Sequence, residues 1–95
     1  MLAIKLGRNQ SFTLHEPISV VFTLKVINPG VSATFYIQPT AVSRTIHKGV
    51  DYRFEYAPGL FGTICLLNFM PSGSDGHITK VSIGIKLPKA IKVTF

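Results

Sequence analysis

Apolar and polar residues alternate along almost the whole chain. The clearest run is Val50-Asp51-Tyr52-Arg53-Phe54-Glu55-Tyr56. Successive side chains of a strand point to opposite faces, so Val50, Tyr52, Phe54 and Tyr56 should share one face and Asp51, Arg53 and Glu55 the other. The same reading gives a strand at Leu2–Leu6, another at Ser11–Leu14, and a long one in which Ile18, Val20, Phe22, Leu24 and Val26 all face inward. Asn28-Pro29-Gly30 is a turn, and Ala33–Gln38 and Ala41–His47 extend again around Pro39. Lys48-Gly49 and Pro58-Gly59 turn the chain on either side of the clearest run. Phe61–Met70 is almost continuously apolar, the pattern of a central strand covered on both faces. Pro71–Gly76 reads as an exposed loop. Beyond it, Val81, Ile83, Ile85 and Leu87 face one way, and Lys80, Ser82, Gly84 and Lys86 the other. Ile91, Val93 and Phe95 form a last strand with Lys92 and Thr94 opposed.

Turn signals recur roughly every 8–12 residues, the spacing of a sandwich or barrel. The predicted fold is all-β: residues 1–95 as one small barrel or sandwich of about seven to nine short antiparallel strands. No stretch has the periodicity and caps of a helix.

Composition adds two constraints. Charged residues make up only 15% of the chain against 46% hydrophobic, so apolar side chains should remain after one small core is filled. They point to an oligomer interface, as in a homodimer or higher oligomer, or to another contact surface. Lysines and arginines outnumber acids ten to four, a balance that favours an anionic partner. The single cysteine, Cys65, lies in an apolar run and reads as a buried hydrophobe; no intrachain disulfide can form, which suits a reducing compartment. No charged segment precedes an apolar signal core and no apolar run is long enough to span a membrane, so the expected location is cytoplasmic, in the host's cytoplasm if the protein is viral.

Catalytic motifs are missing. No serine sits in a Gly-x-Ser-x-Gly elbow, and Gly73-Ser74-Asp75-Gly76 lacks the length and lysine of a phosphate loop. His15, His47 and His77 are too dispersed to supply the local ligand pair of a zinc site. Asp51 and Glu55 flank Arg53 on one strand face, an arrangement typical of a solvated surface with cross-strand ion pairs. A non-enzymatic protein without metal or cofactor is expected.

The cations carry the stronger functional signal. Lys80, Lys86 and Lys92 alternate with core residues, and Arg44, Lys48 and Arg53 fall around the middle strands. Lysine rows on a sheet can track phosphates; on an edge strand they also block aggregation. Tyr36 falls on the polar phase of its strand, where it could stack on a base.

Tyr56-Ala57-Pro58-Gly59-Leu60-Phe61 resembles a turn of the gene V-type single-stranded DNA-binding proteins of filamentous phages. The opening Met1–Leu6, with Gln10 and Phe12-Thr13, is similar to that family's first strand, and Tyr36-Ile37 to a pair on its second hairpin. Phe69 and the glycine-rich segment after it resemble the family's dimer-contact loop. The resemblance implies a small basic dimer that coats single strands through aromatic stacking and cationic contacts. Val81–Val93 is also similar to the C-terminal strands of the carbon storage regulator family, which are dimeric RNA-binding β proteins. The expected function is sequence-nonspecific binding of single-stranded nucleic acid, DNA in the first instance, through Tyr36, Arg44, Lys48, Arg53, Lys80, Lys86 and Lys92. The alternative is an immunoglobulin-like sandwich serving as a structural or interaction module, such as a viral capsid or tail component.

Overall fold

In the computed structural model, which describes residues 2–15, 19–71, 76–87 and 93–94, the alternating segments become antiparallel strands. They are β1 (Leu2–Gly7), β2 (Ser11–Leu14), β3 (Val20–Asn28), β4 (Ser32–Gln38), β5 (Val42–His47), β6 (Asp51–Ala57), β7 (Leu60–Pro71), β8 (Ile78–Lys86) and β9 (Val93–Thr94). The all-β prediction holds. Among the described residues, no helix is long and apolar enough to cross a membrane.

Two sheets share one core. The four-stranded sheet has the order β1-β8-β7-β6 and the five-stranded sheet the order β5-β4-β3-β2-β9. Strands β2 to β5 and β6 to β8 follow one another as hairpins, without the Greek-key crossover of immunoglobulin-like sandwiches. The first and last strands break that order, β1 pairing with β8 and β9 with β2.

The inward phase of both sheets fills the core. Phe12, Leu14, Phe22, Leu24 and Phe35 come from the five-stranded sheet, and Ile64, Leu66, Val81, Ile83 and Ile85 from the other; all are buried. Phe22 is the joint between the layers. Its ring stacks on Phe12 at 4.8 Å and meets Phe54 of the facing sheet edge-on at 5.0 Å.

Gly62 occupies an inward position of β7 because no side chain fits there. A Cβ on it would lie 2.7 Å from Leu87 Cδ2, 2.9 Å from Phe54 Cζ and 3.2 Å from the Lys86 carbonyl oxygen. The first two atoms can shift, but the carbonyl is ladder backbone. Gly62→Ala is therefore expected to destabilise the fold by about 1–3 kcal/mol through overpacking, measured as a lower urea midpoint with an unchanged m-value.

Several readings of the alternation are corrected by backbone detail. A bulge at Lys25 shifts the β3–β4 register, so Val26 opposes Thr34 and is 53% exposed instead of facing inward. Val50 precedes β6 and is also exposed. Strand β7 is interior to its sheet, yet only one of its faces is covered: Phe61 and Leu67 are exposed, and Cys65 is half-buried on the outer phase with Sγ 3.6 Å from the Gly84 carbonyl. Lys92 and Lys89, the Glu16–Ile18 segment and Ser72–Asp75 lie outside the described residues.

Candidate nucleic-acid interface

The two outer faces of the sandwich differ in charge. On the five-stranded sheet, the ladder-paired outward positions among the described residues are Ser11 and Thr13 of β2, Val21, Thr23, Val26 and Asn28 of β3, Ser32, Thr34, Tyr36 and Gln38 of β4, Ser43, Thr45 and His47 of β5, and Thr94 of β9. None is a lysine, arginine, aspartate or glutamate; Lys25 stands at the bulge. Hydroxyls bond across the strands, Ser11 with Thr23 at 2.7 Å and Thr34 with Thr45 at 2.9 Å.

On the four-stranded sheet the outward positions carry four cations and, beside Arg53 on β6, the two acids Asp51 and Glu55. Lys80 and Lys86 lie on β8, Lys5 on β1 opposite Ser82, and Arg53 on β6 opposite Thr63, which in turn opposes Lys86. All four side chains are exposed, and none is held in an ion pair with a described residue. Between them runs a row of small side chains, Ala3, Gly84 and Cys65, paired across three strands and ending at Asp51. Six residues separate Lys80 from Lys86, roughly 20 Å of strand at ~3.3 Å per residue. The result is a low floor with cations at either end.

The expected ion pairs of the Asp51-Arg53-Glu55 row do not form among the described residues. The Arg53 guanidinium instead lies 4.0 Å from the Phe61 ring centroid, and a Glu55 carboxylate oxygen accepts the Gly59 N–H at 3.4 Å. Phe61 is 38% exposed, so this cationic face carries an accessible aromatic ring of its own.

The residues expected at the site are therefore only partly brought together. Lys80, Lys86 and Arg53 share one face; Tyr36 stands on the opposite sheet, half-buried between Thr23 and Ser43. Arg44 is at an inward-phase position of the edge strand β5, where Nε donates to the Tyr52 hydroxyl at 3.2 Å. Lys48 lies in the connection from β5 to β6, its backbone bridged to Leu66. Lys5 and Phe61 join the face although sequence reasoning did not assign them to it. Phe61 depends on a bulge: the Pro58-Gly59 turn pairs Ala57 with Leu60, but the register shifts between Glu55 and Ala57, so Phe61 opposes Glu55 and lies diagonal to Arg53.

No protein-family model, curated protein or solved structure matches the chain. Its site is thus defined by this geometry. Among the described residues, no three of His, Cys, Asp and Glu gather closely enough to hold a metal ion.

Proposed function

We propose that this protein is a non-enzymatic binder of single-stranded nucleic acid, sequence-nonspecific, acting through the outer face of its four-stranded sheet. The observation that carries the reading is the gathering of cations: Lys5, Arg53, Lys80 and Lys86 converge on the outer face of one sheet, beside the two acids Asp51 and Glu55, while the outward face of the other has Lys25 as its one lysine or arginine among the described residues. Lysines and arginines would replace counterions along the phosphates. Phe61, already beneath a guanidinium, would offer a stacking surface to one base. The resemblance of the Tyr56–Phe61 turn to gene V-type proteins adds to this reading, since that turn, with the bulge between Glu55 and Ala57, brings Phe61 back beside Arg53.

Fluorescence anisotropy of labelled single-stranded DNA and RNA, titrated with salt, tests the proposal. Four phosphate contacts correspond to a slope of log K against log salt near about −3, at ~0.7 per contact for single strands. No binding at about 50 mM salt would remove it. Tyr36→Ala, on the opposite face, is expected to leave oligonucleotide affinity unchanged in the same assay.

Self-association belongs to the same proposal. Val31, Val50 and Leu67 are exposed and lie around Lys48, whose backbone N–H donates to the Val31 carbonyl and whose bridge partner is Leu66. That apolar end gives a second copy a surface to cover. The alternative, an interaction module in a larger assembly, draws on the hydroxyl-bearing face; an assembly that persists in high salt and ignores oligonucleotides would select it.

A further inference from the structure

We infer that the cleft between strands β5 and β6 receives one unstacked base of the bound strand. This rests on the nucleic-acid reading above and gives it a second, distinct subsite.

The cleft exists because β5 and β6 are neighbouring edges of different sheets, with no ladder between them. The gap has a volume of about 410 Å³. That lies within the ~300–1,000 Å³ usual for small-molecule pockets, enough for a base and its sugar. Ile37, Val42 and Phe54 make its lining largely apolar. A base out of its stack needs such walls, because both of its faces must leave water.

The cleft's polar lining comes from Thr40, Arg44, Tyr52, Arg53 and Glu55, and the Glu55 carboxylate accepts the Gly59 N–H at 3.4 Å. Arg44 is fixed in orientation: Nε donates to the Tyr52 hydroxyl at 3.2 Å and Nη1 to the Ser43 carbonyl at 3.0 Å. A held guanidinium plane beside a tyrosine suits a flat aromatic ring, since bases stack on both groups. An aliphatic carboxylate would use only the charge. Tyr56, also in the lining, is 3% exposed, and its buried hydroxyl has no hydrogen-bond partner among the described residues.

Arg53 connects the two subsites. It lines the cleft and also lies over Phe61 on the cationic face. A phosphate held at Arg53 would leave the adjoining base within reach of the cleft, while the rest of the strand ran on toward Lys86.

Val42→Trp, a substitution at a half-buried edge-strand position, should fill the cleft without removing a cation. Expected is about a tenfold loss of oligonucleotide affinity, the scale of one lost base contact, with an unchanged salt slope. Wild-type affinity in a folded Val42→Trp protein would overturn the inference and leave the nucleic-acid reading standing. Absence of oligonucleotide binding by the wild type would overturn both. A second measurement does not depend on the variant folding. Adenosine 5′-monophosphate added to the wild type should shift the NMR signals of Arg44 and Tyr52, whereas ribose 5-phosphate should not. Equal shifts from both, or displacement of the nucleotide by decanoate, would show a general anion or lipid-like site and also overturn it.

Discussion

Replacing Lys80 and Lys86 by glutamate is expected to lower single-stranded oligonucleotide affinity roughly a hundredfold at about 0.1 M salt. Each lost phosphate contact removes a share of counterion release worth about fivefold at that salt concentration. Reversal adds repulsion from two new carboxylates. The slope of log K against log salt should fall by about half, because two of four contacts are gone. Fold stability should change little, since both side chains are exposed and neither is in an ion pair with a described residue. Anisotropy reads affinity and slope, and circular dichroism checks the fold. A double variant that binds as tightly as the wild type would mean that the lysines only keep the sheet soluble and its surface from pairing.

The largest effect on stability is expected at Phe22. Its ring is fully buried, stacks on Phe12 and meets Phe54 across the two layers. Truncation to alanine removes both aromatic contacts and opens a cavity where the sheets are joined, at a cost of about 3–5 kcal/mol. A domain of this size has about 5–14 kcal/mol in total, so Phe22→Ala should lose a large part of its urea midpoint or fail to fold. Phe22→Leu should cost less, because much of the volume is restored. Equal losses for both would mean that cavity size does not govern this site.

The difference between expectation and structure has a physical pattern. Strand positions and most inward residues were legible because alternation is local: Phe12, Leu14, Phe22, Phe35, Ile83 and Ile85 are buried as their phase requires. Bulges were not legible. An extra residue at Lys25 turns Val26 outward, and another between Leu66 and Asn68 interrupts the phase of β7. Neither leaves a mark that composition could show.

The site was less legible for a different reason. Phase says that Tyr36 and Lys86 leave the core, but each points out from its own sheet. Which sheet a strand joins depends on distant pairing, such as β1 with β8 and β2 with β9. Tyr36 and Lys86 go to opposite sides of the sandwich because the chain changes sheets between β5 and β6, and the β1–β8 pairing completes the second sheet. That pairing also adds Lys5, from the start of the chain, to a face built mainly from its second half.

The central claim is that one face of the sandwich carries the nucleic acid. An amide chemical-shift titration with a single-stranded oligonucleotide at about 50 mM salt tests it most directly. The expected result is a set of shifts at Lys5, Arg53, Thr63, Lys80 and Lys86 that shrinks as salt is raised, with Ser11, Thr23 and Tyr36 unmoved. Shifts gathered on the Ser11–Thr23–Tyr36 face, or no shifts at all, would contradict it.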